Sequence, residues 1–80
     1  MAKKIRIKLD KVLEQKSITQ KQLKEMIDQK YFDGEDKFRT ATVSEMYNNQ
    51  RKTINKGHLE MVFNTLELES IDQLIEMVDE

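Results

Sequence analysis

The 80-residue chain is 38% hydrophobic and 36% charged, with no Cys, no Pro, two Gly and a formal net charge of −1. That is enough apolar material for one small domain over residues 1–80 and too little for a second core, and the lack of cysteine excludes a disulfide frame and thiolate-held zinc or iron–sulfur sites. No apolar run reaches the length of a membrane span or a signal-peptide core, so the sequence reads as a soluble, cytoplasmic protein without membrane contact, whose marginal size favours a homodimer.

Ile5, Leu9, Val12 and Leu13 fall at i, i+4, i+7 and i+8, which predicts a first helix over about residues 8–16. Ile5 and Ile7 also alternate with Lys4, Arg6 and Lys8, a pattern that suits a short extended arm ahead of that helix. Thr19 and Gln22 form a capping-box pattern, and Leu23, Met26 and Ile27 continue the stripe, so a second helix is expected over about 20–31. The turn residues Asp33-Gly34-Glu35-Asp36 interrupt it, flanked by Tyr31, Phe32 and Phe38.

Val43, Met46 and Tyr47 predict a third helix over 40–48, with Thr40 and Thr42 as candidate caps and Asn48-Asn49 closing it. Asn55 is an N-cap candidate for a fourth helix over 56–66, striped by Leu59, Val62, Phe63 and Leu66. Ser70 and Gln73 then suggest another capping box, and Ile71, Leu74, Ile75 and Val78 predict a fifth helix to the end of the chain. The expected architecture is therefore all-α, a compact five-helix domain.

The near-zero net charge hides a division along the chain. Residues 1–56 hold 14 basic and 8 acidic side chains, net +6, whereas residues 57–80 hold seven acids and no Lys or Arg. A basic portion of this kind suits an anionic partner, and the acidic portion suits contact with protein.

Catalytic, cofactor and metal chemistry have little to stand on. His58 is the single histidine, and the three serines have no base and orienting group near them in sequence. Glu35-Asp36 and Asp79-Glu80 lie in a turn and at a terminus, and the Asp33–Asp36 segment lacks the ligand spacing of a calcium loop. Met26, Met46, Met61 and Met77 read as packing residues. The sequence thus predicts no enzyme, no cofactor and no metal.

The informative pattern is two capped helices, a basic loop and a closing helical pair. Ile18-Thr19-Gln20-Lys21-Gln22-Leu23 carries a Thr-Gln-x-x-Leu opening, and Thr42-Val43-Ser44-Glu45-Met46-Tyr47-Asn48-Asn49 is similar to a Thr-Ile-Ser-x-Leu helix followed by a polar Asn-Gly turn. Arg51-Lys52-Thr53-Ile54-Asn55 and Leu59–Leu66 complete the order. Together these pieces resemble the Cro/phage-repressor-type, or lambda-repressor-like, helix-turn-helix family. The resemblance implies a small prokaryotic or phage transcriptional regulator, repressor-like, that binds double-stranded DNA as a homodimer on a two-fold operator.

With Val43, Met46 and Tyr47 facing a core, Ala41, Ser44, Glu45 and Asn48 point the other way, with Thr40 on the flank. Such small polar side chains let a helix backbone approach the major groove, where Ala41 suits a thymine methyl and Ser44 several base edges. Gln20, Arg39, Arg51 and Lys52 are the expected phosphate contacts, and Lys3, Lys4 and Arg6 suit an arm along the backbone or into the minor groove.

The chain departs from the family at two places. Leu23 to Val43 spans 20 positions, about nine more than a tight helix-turn-helix connection needs, so residues near 28–38 form an insertion with four acids and two bases. At least two of its three aromatics are expected to pack on the second or third helix while the acidic turn projects away from phosphate. Glu45 is the second departure, an acid that costs DNA affinity unless it accepts from a cytosine amino group. These acids favour the alternative of a protein-interaction module, an antirepressor or inhibitor with weak DNA binding, meeting its partner through the acidic C-terminal helix or the 28–38 insertion.

Overall fold

In the computed structural model of the chain, which describes residues 2–50 and 53–79, the stripe of Leu9, Val12 and Leu13 forms α1 (Leu9–Lys16) with all three side chains buried. Thr19 opens α2 (Gln20–Tyr31) through the expected capping box: Thr19 Oγ1 accepts from the Gln22 N–H at 3.1 Å, and Gln22 Oε1 accepts from the Thr19 N–H at 2.9 Å. The third stripe gives α3 (Thr40–Asn48), whose N-cap position is held by Arg39 rather than by either threonine, and no side chain caps it. Asn55 opens α4 (Lys56–Thr65), its Oδ1 accepting from the His58 N–H at 3.1 Å. No helix among the described residues is long and apolar enough to cross a membrane.

The ends of the chain correct the all-α expectation. The described residues form four α-helices and a two-stranded antiparallel sheet, not five helices. The alternating Ile5 and Ile7 lie in β1 (Lys3–Ile7), and β2 (Ile75–Asp79) pairs with it in the register Lys3↔Asp79, Ile5↔Met77 and Ile7↔Ile75. The Gln73 side chain does accept from the Ser70 N–H at 3.0 Å, but the turn that it starts is a single 3-10 turn over Ile71–Gln73.

Three physical causes favour the strand. A helix over 71–79 would end on Asp79 and Glu80 at the negative end of its dipole, with no Lys or Arg after Lys56 to offset them. As a strand, the segment sets Glu76 against Arg6 at 3.1 Å and Asp79 against Lys3 at 3.5 Å. The β-branched Ile75 and Val78 also suit a pleated strand, and Ile75 stands opposite the buried Ile7. The i, i+3, i+4, i+7 spacing of the segment was compatible with a helix only while no partner strand was in view.

The core gathers Leu9, Leu13, Leu23, Ile27, Val43 and Val62 from the four helices and adds Ile7 and Leu74 from the terminal ribbon. α2 packs on both α3 and α4, and α1 packs on α3. Leu74 is fully buried, and its carbonyl accepts from the Lys8 N–H at 2.6 Å, which joins the ribbon to the start of α1. Replacing Leu74 by Ala is therefore expected to destabilise the protein by about 2–5 kcal/mol in urea unfolding. A loss below about 1 kcal/mol would show that the ribbon is not part of the cooperative core.

Candidate nucleic-acid interface

The lengthened connection between α2 and α3 is built around Asp28. Its side chain is buried on the last turns of α2, where Oδ1 accepts from the Phe38 N–H at 2.8 Å and the Lys37 N–H at 3.2 Å. Its other carboxylate oxygen is bonded to the Lys24 ammonium one helical turn earlier, and the same ammonium reaches Asp36. The Asp28 backbone carbonyl accepts from the Phe32 and Gly34 N–H groups, both at 2.9 Å. One residue thus ends α2 and draws both sides of the acidic turn back onto it.

The turn itself uses left-handed backbone at Asp33 (φ 55°) and Gly34 (φ 83°). A Cβ at Gly34 would in addition lie 3.3 Å from the Gln29 side chain, so glycine suits this position on both counts. Beyond the turn Phe38 is buried and meets His58 edge to face, with ring centroids 5.3 Å apart, and Phe32 packs partly buried against the core. Two of the three aromatics of the insertion thus hold the connection in shape. Tyr31 is exposed, as are Asp33, Glu35 and Asp36.

The connection delivers Arg39 and Thr40, both exposed, at the N-terminus of α3. Val43 and Met46 are buried beneath this helix and Tyr47 packs against the core, while Thr40, Ala41 and Asn48 are exposed and Ser44 is half-buried between them. Asn48 Nδ2 lies 3.4 Å from Ser44 Oγ, linking two of the predicted groups along the face. Glu45 is also half-buried, and with Arg39, Ala41 and Asn49 it borders a cleft closed by Asn55 and His58. Gln20 is half-buried as the first residue of α2. Arg51 and Lys52 lie outside the described residues.

The expected basic arm is otherwise engaged. Arg6 donates to Glu76 at 3.1 Å and to Asp10 at 3.0 Å, and Lys3 pairs with Asp79, so the start of the chain is a paired strand rather than a free arm. The acidic C-terminal helix proposed as a protein-contact surface is likewise replaced by β2, because these acids find cross-strand bases instead of a helical face. Two residues central to the geometry have roles that local sequence patterns do not reveal. In the sequence Asp28 is one acid of the insertion, and its i, i+4 spacing from Lys24 is the one local sign of its role. Asn49 has the sequence signature of a helix terminator, and its side chain is in addition hydrogen-bonded to Ile7.

Comparison with protein families matches residues 8–80 to the Cro/C1-type HTH DNA-binding domain. No curated protein and no solved structure gives a match.

The Asp28 lock makes stability depend on pH. The hydrogen bond from Lys24 holds the Asp28 carboxyl below its ordinary value of 3.8, helped by the backbone N–H groups of Phe38 and Lys37 and opposed by burial. A carboxyl depressed on folding contributes stability that is present above its unfolded value and lost as pH falls through the lower folded value. Unfolding by urea should therefore become easier as pH falls below about 4 toward 2. Asp28→Asn should be less stable than the parent at pH 7 and should lose less on the same acidification; parallel pH profiles would dismiss the lock.

Proposed function

Because the chain belongs to the Cro/C1-type helix-turn-helix DNA-binding family, we propose that it is a sequence-specific, repressor-like regulator whose α3 reads the major groove of double-stranded DNA. The observation that carries this reading is the face of α3, where Thr40, Ala41 and Asn48 are exposed and Ser44 is half-buried, over buried Val43 and Met46. Small polar groups on a nine-residue helix let its backbone enter the groove closely and offer hydrogen bonds to base edges. Arg39 ahead of α3, Gln20 at the start of α2, and Arg51 and Lys52 after α3 in sequence supply phosphate contacts that set register without reading bases.

Binding as a homodimer to a two-fold operator belongs to the same proposal. It is supported by the small size of the chain and by the apolar pair Ile5 and Met77, opposite each other on the ribbon and 52% and 56% exposed. Glu45 beside the reading face is consistent with acceptance from a cytosine amino group. The exposed acids Asp33, Glu35 and Asp36 favour a second reading, in which the same scaffold serves as an antirepressor or inhibitor that binds protein and not DNA.

Selection of bound sequences from a random duplex pool, combined with a salt titration, separates the two. A DNA regulator yields an enriched site and an affinity that falls steeply with salt, whereas negligible duplex binding at low salt would favour the protein-binding reading. Within the first reading, Ser44→Ala or Asn48→Ala should change the preferred base by about 1–3 kcal/mol at one position. An unchanged selected site in both variants would remove α3 from the groove. Arg51→Ala with Lys52→Ala should weaken binding to all sequences alike and lower the salt slope by about one unit per lost contact.

A further inference from the structure

Asn49 stands at the C-terminal end of α3 in left-handed conformation, φ 54°, with its own N–H donating to the Met46 carbonyl at 3.4 Å and the Gln50 N–H donating to the Glu45 carbonyl at 3.0 Å. Its side chain does not face solvent alone. Oδ1 accepts from the Ile7 N–H at 2.7 Å, and Nδ2 donates to the Ile7 carbonyl at 3.0 Å, across 42 positions of sequence. Since Ile7 offers one donor and one acceptor, this pairing also fixes which end of the amide is oxygen.

The geometry of the ribbon explains why Ile7 has both groups available. Ile7 is paired in register with Ile75, while the bond from the Lys8 N–H to the Leu74 carbonyl marks the neighbouring pair as the hydrogen-bonded one. In an antiparallel ladder such pairs alternate, so both backbone groups of Ile7 point away from β2. The Asn49 carboxamide occupies the place that a peptide group of a third strand would take. Left unpaired in a residue that is only 6% exposed, those groups would carry the cost of an unsatisfied backbone donor and acceptor.

We propose that Asn49 is a positioning residue, a clamp that seats the C-terminal end of α3 on the outer edge of β1 and so makes the reading angle of α3 depend on the terminal ribbon. The proposal rests on the DNA-reading role given to α3 above. A nine-residue helix has little stability of its own and takes its orientation from tertiary anchors. Val43 and Met46 anchor it from below, and Asn49 ties down the end where the chain leaves for the basic loop. The side chain suits the task on two counts: asparagine tolerates left-handed backbone, and its amide is short and both donor and acceptor. Aspartate would set an oxygen against the Ile7 carbonyl, and glycine would keep the backbone but lose both bonds.

Asn49→Gly in the full chain is the primary test because it removes the clamp without straining the backbone. It should speed hydrogen exchange at the Ile7 amide and at the last amides of α3, and lower the ratio of affinities for the selected site and random duplex about tenfold, with the salt slope unchanged. Lys4→Pro, which breaks the ladder at a position remote from α3, should lower the same ratio in the parent but little further in Asn49→Gly. Additive losses, or an unchanged ratio despite fast exchange at Ile7, would overturn the clamp as a positioning device. Should the parent select no site, the DNA reading fails separately. The clamp is then judged on exchange alone: loosening of the last turn of α3 in Asn49→Gly supports it, and unchanged protection there refutes it.

Discussion

Ile7 and Lys8 join three parts of the molecule within two residues. The Ile7 side chain is buried opposite Ile75, its backbone N–H and carbonyl are taken up by Asn49, and the Lys8 N–H reaches the Leu74 carbonyl. The Lys8 carbonyl in turn accepts from the Val12 N–H at 3.0 Å and so starts α1. Burial of Ile7 and Leu74 contributes about 1.5–3 kcal/mol for each side chain, a large share of the margin available to a small domain. The terminal ribbon is therefore a wall of the core, and α1 and α3 are both set against it.

Two polar side chains complete what regular secondary structure leaves open, and their chemistries differ for a clear reason. The connection before α3 presents two backbone donors, from Lys37 and Phe38, together with an ammonium, and a carboxylate with its oxygens facing these groups meets that demand. The end of α3 faces one donor and one acceptor on Ile7, which only a side chain with both functions satisfies. The first lock carries charge and so depends on pH, whereas the second is neutral. Between them they fix the two ends of α3: the buried Phe38 brings the chain in against α4, and Asn49 holds the exit against β1.

The division of charge along the chain is resolved in space at the ribbon, where two acids of the C-terminal portion meet two bases of the N-terminal one. The bases of β1 face the acids of β2 and α1 through the pairs Lys3–Asp79, Arg6–Glu76 and Arg6–Asp10. Exposed and half-exposed pairs of this kind contribute little stability each, but they favour one strand register over its neighbours. Among the described residues, Arg39 stands exposed immediately before the first turn of α3. The acidic turn is kept in a defined shape by Lys24, which bonds Asp28 and Asp36 together.

Local signals made most of the helices legible in the sequence. The stripe over Leu9, Val12 and Leu13, the Thr19–Gln22 capping box, the Asn55 cap and the terminating Asn49 each depend on residues a few positions apart, and each is found in the structure. The polar face of α3 was legible for the same reason, since helical spacing alone separates Ala41, Ser44 and Asn48 from Val43 and Met46. What spacing could not decide was the state of residues 71–79, whose apolar pattern suits a helix and whose β-branched residues and acids suit a strand. Only the arrival of β1 from the other end of the chain, with Arg6 and Lys3 to meet Glu76 and Asp79, settled it. The roles of Asp28 and Asn49 were hidden likewise, because their backbone partners lie 9, 10 and 42 positions away. Periodicity and capping are properties of neighbouring residues and can be read in a line, whereas the pairing of distant backbone groups exists only once packing has brought them together.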